Sequence, residues 1–302
     1  MGDLPTNQYA APRGIPTGQA GGLVLLCYDG SYGAQHAIRS AAVLLQPRAA
    51  IVLHARDGEG AASLAESGAG LARRNEFAPV STIEGDGQSA VDAILEQAHA
   101  NDVALIVLGS ESGSAIEASF LGSVSSAVVH RSDIPVLVVR PPKNPETDES
   151  GPTFMCYDGS EQARRAIDVA ADLLARRDAI VASFLDPVDD VAQLRKSLPW
   201  PPQEEETDRR LAELDREEAE FIARQSTEGA QIATSRGFAS QPLTIEAHGS
   251  AWRRLLDIAA TSAASCIVVG HRPPAAVGHL STAYGLVHHA NRPVLVVPSR
   301  PA

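Results

Sequence analysis

The chain repeats itself, and no other feature limits its fold as much. Residues 27–45, CYDGSYGAQHAIRSAAVLL, return at 156–174 as CYDGSEQARRAIDVAADLL, with 12 of 19 positions identical. The echo continues in order: Thr82-Ile83-Glu84 recurs as Thr244-Ile245-Glu246, Ala104–Gly109 (ALIVLG) as Cys266–Gly270 (CIVVG), and PVLVV at 135–139 as PVLVV at 293–297. Ordered self-similarity of this kind means two homologous domains in tandem. A length of 302 residues suits that division, at roughly 100–200 residues per domain. We read residues 1–21 as a tail, 22–142 as domain 1, 143–152 as a linker and 153–302 as domain 2. The joining stretch PPKNPETDESGP, 141–152, is dense in proline and charge and suits no packed element.

Each copy alternates short β-branched runs with longer segments of helical period, the pattern of β-α-β units on a parallel sheet. In copy one the predicted strands are Leu23–Tyr28, Ala50–Ala55, Pro79–Glu84, Val103–Gly109 and Pro135–Arg140. Runs such as VLLCY and ALIVLG are apolar at every position, as strands are when helices cover both faces. The following helix sets Ala34, Ala37, Ile38, Ala41 and Leu45 at spacings of three and four, a stripe that can pack on a sheet. The fold class is therefore α/β, two Rossmann-like domains, each a parallel sheet in the order 3-2-1-4-5, since short right-handed crossovers allow few alternatives. That order leaves the fifth strand as an exposed edge. Because PVLVV is duplicated, strands 136–140 and 294–298 are expected to pair across a pseudo-twofold axis within one chain. The second connection differs between copies: Gly60–Asn75 is short, whereas 186–228 carries 13 acids against 6 basic residues, with Leu211, Leu214, Phe221 and Ile222 as its packed stripe. That acidic run reads as a solvated helix face.

Composition then removes whole classes of function. A net charge of -12 repels a phosphate backbone, so nucleic acid is not an expected partner. No apolar stretch approaches the roughly 18 residues of a membrane helix. The first 22 residues lack the basic start and apolar middle of a signal peptide. Cys27, Cys156 and Cys266 fall in apolar runs without CxxC spacing, and read as reduced core thiols in a cytoplasm.

The chemistry concentrates where strands one and four end. Asp29 and Asp158 close the first strand of each copy, at the carboxyl edge where open α/β sheets bind ligands. There an Asp accepts hydrogen bonds from ribose or an amine, or else caps the helix that begins near Ser31. The fourth strand runs into Gly109-Ser-Glu-Ser-Gly113, followed by Gly122-Ser123 and a helix over 124–132. Glycines let backbone amides approach an anion, and a helix N-terminus supplies free N–H groups, with Ser123 and Ser125 as hydroxyl donors. No GK[ST] follows, and the loop does not come after the first strand, so it is neither a Walker motif nor a dinucleotide fingerprint.

Taken in order, strand-Asp-Gly-Ser, the glycine loop, Gly-Ser and Pro-Val-Leu-Val-Val resemble the universal stress protein family in its tandem form. Nucleotide-binding members carry G-x2-G-x9-G-[ST]. Gly109 and Gly122 keep the outer spacing of 13 and Ser123 fills the last place, while Ser112 replaces the middle glycine and Gly113 follows one step later. The resemblance implies ATP or another adenine nucleotide, with Mg²⁺ alongside the phosphates. It sets Asp29 against the adenosine and Val52 against the base. Cys27, Tyr28, Gly109, Ser110, Ser112, Gly113, Gly122, Ser123, Val124 and Ser125 complete the set. It also implies pairing of the two domains through their fifth strands, and leaves a homodimer open.

Copy two departs from the pattern. Aligned on Pro293, Leu280 stands where Gly122 does and Ser281 where Ser123 does; the spacing falls from 13 to 10 and Pro273-Pro274 remove amide donors. A dismantled anion site and one ATP per chain are expected. His271, His279, His288 and His289 do not read as metal ligands, because adjacent His288 and His289 cannot face one way on a helix. The copy-one loop has no Arg or Lys for a γ-phosphate and no base beyond Glu111 or Glu117. This favours ligand-dependent conformation or association over efficient phosphoryl transfer, with at most a slow ATPase. The alternatives are a slow nucleotide hydrolase or transferase, and an interaction module whose loops bind nothing.

Overall fold

The structure is a computed structural model. It describes residues 22–55, 60–84, 89–110, 121–141, 151–175, 178–185, 204–246, 250–271 and 282–299. The tail, residues 142–150 of the joining stretch, Glu111, Ser112, Gly113, Glu117, Pro273-Pro274, His279, Leu280 and Ser281 lie outside them.

In the first half the elements run β1 (Leu23–Cys27), α1 (Tyr32–Leu44), β2 (Ala49–His54), α2 (Ala61–Arg74), β3 (Ala78–Glu84), α3 (Ala90–Ala100), β4 (Val103–Gly109), α4 (Ser123–Arg131) and β5 (Val136–Val139). In the second they run β6 (Thr153–Cys156), α5 (Glu161–Leu173), β7 (Asp178–Leu185), α6 (Glu204–Ser235), β8 (Ala239–Glu246), α7 (Ala251–Thr261), β9 (Cys266–His271), α8 (Thr282–His289) and β10 (Val294–Pro298). All the described strands join one sheet in the order β3-β2-β1-β4-β5-β10-β9-β6-β7-β8. Each half is parallel in the order 3-2-1-4-5, and β5 meets β10 antiparallel, with Val138 opposite Val294 and Val136 opposite Val296.

Side chains alternate along each strand, so each continuous apolar run feeds two cores. Val24, Leu26 and Val52 pack with α1, α2, α5 and α6. Leu25, Leu53 and Ile106 pack with the layer of α3, α4, α7 and α8. Ser31 starts α1 and Ser160 starts α5 as side-chain caps, accepting from the amides of Ala34 and Ala163. The stripe on α6 departs from expectation at Phe221, while Ile222 is buried as expected and the side chains of Leu211 and Leu214 lie outside those described. Phe221 is exposed, and the buried face is built from Ile222, Ser226, Gly229, Ala230 and Ala233, small residues that let the helix lie close over Tyr157 and Val181.

The halves also touch where α1 and α5 end. The Gln46 amide donates to Leu173 O at 3.0 Å and the Ala175 amide to Leu44 O at 2.8 Å, so each chain segment returns the other's bond. Arg48, only 3% exposed, donates to the carbonyls of Asp172 at 3.2 Å and Leu173 at 3.0 Å. A cation at the carboxyl end of α5 suits the negative end of the helix dipole. Burial lowers the Arg48 pKa, and Asp172 opposes that shift.

Candidate functional site

A cleft of about 300 Å³ opens at the carboxyl ends of β1, β2 and β4. Asp29 stands exposed at its rim, Leu53, Ala55, Ile94 and Leu108 give it apolar walls, and Gly109, Val124 and Ser125 close it on the α4 side. Cys27 lines it as well, and burial, with Asp29 adding, raises that thiol far above its ordinary pKa. It is no thiolate nucleophile at neutral pH.

The expected residues divide into those that face the cleft and those that build it. Asp29 Oδ1 accepts from the Ser31 amide at 3.0 Å, closing the turn before α1, while Ser31 itself caps the helix. Asp29 is therefore not the cap that the sequence allowed. Ser110 is buried; its amide donates to Val139 O at 2.9 Å and its hydroxyl accepts from the Gly122 amide at 3.2 Å. Ser125 donates its hydroxyl to Gly109 O at 3.1 Å. The Gly122 amide and the Ser125 hydroxyl are thus spent on shaping the loop. The first-turn amides of Ser123, Val124 and Ser125 have no acceptor within α4, as at the start of any helix.

Gly109 has a packing reason for lacking a side chain. A Cβ there would lie 2.4 Å from the Gly33 carbonyl carbon and 2.5 Å from the Ala34 nitrogen, so α1 sits directly on β4. At Gly122, φ is -57° and ψ 151°, which any residue adopts, so its glycine is not required by the backbone.

Val52 is corrected by the structure. It lies on the opposite face of β2, where its Cγ1 is 2.9 Å from the place a Cβ on Gly68 would take. The residue that reaches the cleft is its neighbour Leu53, because alternation sends adjacent side chains to opposite faces. The Tyr28 ring also packs over Gly68, and its carbonyl accepts from His54 Nδ1 at 2.9 Å. Leu53, Ala55, Ala90 and Ile94 were not read from the sequence; the strand pattern could have offered Leu53, but nothing local pointed to α3.

The second half keeps a cleft of about 260 Å³ lined by Tyr157, Asp158, Ser160, Phe184, Gly270, Thr282 and Ala283. Asp158 closes the same turn, accepting from the Ser160 amide at 3.0 Å. Its walls have diverged. Phe184 narrows it where Ala55 leaves room, and Ala283, the counterpart of Ser125, cannot tie helix to strand. Among the described residues no group of three or more His, Cys, Asp or Glu side chains could hold a metal ion, and no helix is long and apolar enough to cross a membrane.

Comparison with known proteins agrees with this architecture. The family model described as universal stress protein family matches residues 23–140 and again 154–298. No curated protein sequence matches. A universal stress protein from Archaeoglobus fulgidus DSM 4304 superposes with a TM-score of 0.57 at 16% identity, covering 91% of this chain and 98% of its own. A universal stress protein structure from Pseudomonas aeruginosa UCBPP-PA14 gives 0.58 at 17%, covering 92% and 94%. At such identities these two speak for the fold. A universal stress protein solved in complex with cAMP is 25% identical over 40% of this chain and 98% of its own, with a TM-score of 0.32. With two matched segments that together span most of its length, the chain belongs to the universal stress protein family and carries that family's domain twice.

Proposed function

We propose that the first half binds an adenine nucleotide, ATP with Mg²⁺, and that this cytoplasmic protein acts in the stress response through ligand-dependent conformation or association. One observation carries the reading. The cleft has an apolar slot between Leu53 and Ile94 for a flat base, the Asp29 carboxylate at its rim for ribose hydroxyls, and the α4 amide row for phosphate. The three recognition chemistries occur in the order in which a nucleotide presents them. Asp29 is the only carboxylate that lines the cleft among the described residues, so Mg²⁺ is expected to arrive on the phosphates. Three free cysteines suit a reducing compartment.

The second cleft, narrowed by Phe184 and without a Ser125 counterpart, is proposed as the weaker copy, and its half as a support for the first. Titration calorimetry should then give one ATP per chain. Asp29→Ala should remove it and Asp158→Ala should leave it. Gly122→Val adds bulk beside the amide row at permitted backbone angles, so it should abolish binding and leave the melting transition nearly unchanged. ATP bound by Gly122→Val as tightly as by the parent would place the site elsewhere. Mass spectrometry of small molecules released on denaturation would name the nucleotide that the protein retains.

A further inference from the structure

The end of β5 carries a half-buried cation that no described residue of the first half neutralises. Arg140 follows Val139, whose carbonyl receives the Ser110 amide, so it stands one strand over from the mouth of the first cleft. Val136 and Val138 belong to the layer beneath α4 and α8, and Arg140, two residues on, projects to that same face. Among the described residues its Nε and Nη2 are buried without a hydrogen-bond partner, and burial lowers its pKa with no carboxylate contributing. A guanidinium keeps its charge in a protein, so this one calls for an anion.

The groups around it come from the second half and are bases too. The β5–β10 ladder pairs Val138 with Val294, which brings Arg292 to the same end as Arg140. His288, at the end of α8, is 5% exposed and its Nδ1 has no hydrogen-bond partner among the described residues. Its pKa falls to about 4, first through burial and then through Arg140, His289 and His130. No carboxylate acts on Arg140 or His288 among the described residues. The feature belongs to one end of the ladder only: where PVLVV repeats, Pro298 takes the place of Arg140.

We infer that Arg140 and His288, one from each half, form a phosphoryl-binding pair beside the first cleft, fit for the terminal phosphate of a nucleotide seated there or for free phosphate. The guanidinium offers two orphaned N–H groups in a planar fork and the imidazole a third donor, the arrangement that suits phosphate oxygens. The nucleotide as source rests on the reading proposed above; the pair itself does not.

The test is calorimetry of the full chain with ATP, AMP and inorganic phosphate, on the parent, Arg140→Gln, Arg140→Lys and His288→Asn. The parent should bind ATP more tightly than AMP. Arg140→Gln should weaken ATP by about tenfold to a hundredfold, the loss of a charge-assisted bond, and change AMP by less than about twofold. Arg140→Lys should recover part of the loss, which separates lost charge from damaged packing. If the parent binds no nucleotide but binds phosphate in an Arg140-dependent way, the nucleotide reading fails and the pair stands with free phosphate as its ligand. Equal ATP and AMP affinities in the parent, equal losses of both in Arg140→Gln, or no binding of any of the three would overturn the pair.

Discussion

Replacing Gly109 by Ala asks whether this glycine serves the ligand or the fold. The new Cβ would meet the Gly33 carbonyl carbon at 2.4 Å, against ordinary contact at 3.4 Å, so α1 must withdraw by about 1 Å from β4. The helix cannot absorb this locally, because the atoms in the way are backbone. Ala34, Ala37, Ile38, Ala41 and Leu44 all pack through α1, and a gap of that size forfeits about a quarter to a half of each dispersion contact. Overpacking of a core costs about 1–3 kcal/mol, and a backbone-on-backbone clash belongs at the upper end, about 3 kcal/mol. Gly270 holds the corresponding place in the second half, but its Cβ would meet Gln162 C at 2.8 Å, so Gly270→Ala should cost less, about 1–2 kcal/mol. Gly122→Ala, at permitted backbone angles, should stay within about 0.5 kcal/mol of the parent. Urea unfolding without nucleotide, followed by far-UV circular dichroism, ranks the three. If Gly109→Ala unfolds at the parent's midpoint, or if Gly122→Ala proves the more damaging, the packing account of Gly109 is wrong.

Two further outcomes can be checked on the same instrument. Arg48→Met removes the donor that the Asp172 carbonyl has across the seam and leaves Leu173 O with the Gln46 amide alone, and should cost about 1–2 kcal/mol; a variant as stable as the parent would mean that the guanidinium does not hold the halves together. His288 has a folded pKa of about 4, below its ordinary 6.5, so the folded state binds fewer protons than the unfolded one. Without added anion, the contribution of His288 to stability should be constant above pH 6.5 and fall as the pH drops from there toward 4, and His288→Asn should lessen the acid loss of stability.

The fold was legible because its signals are duplicated. Runs such as ALIVLG and CIVVG, short, β-branched and alternating with helical segments, read as strands covered on both faces, and PVLVV twice over points to the strands at the edges. Parity was not legible for the same reason: in AAIVL, 49–53, every position is apolar enough for either side, so nothing local separates Val52 from Leu53. On α6, size mattered more than hydropathy. Phe221 looks like an anchor, yet the helix turns Gly229, Ala230 and Ala233 to the sheet because only small residues permit that approach. The glycine loop was found, but its division of labour was not, since the bonds that occupy Ser110 and Ser125 span 12 and 16 residues. Arg140 and His288 lie farther apart still, and only the strand pairing joins them.

The antiparallel seam has a directional consequence. Within each half all strands point one way, and at β5–β10 the sense reverses, so the two carboxyl edges look out from opposite sides of a single continuous sheet. The molecule therefore has two poles. A body that docks on the loops at one pole cannot reach the loops at the other. Each pole can accumulate substitutions under its own demands while the shared sheet keeps the pair in fixed alignment. Phe184, Ala283 and Pro298 stand at one pole against Ala55, Ser125 and Arg140 at the other.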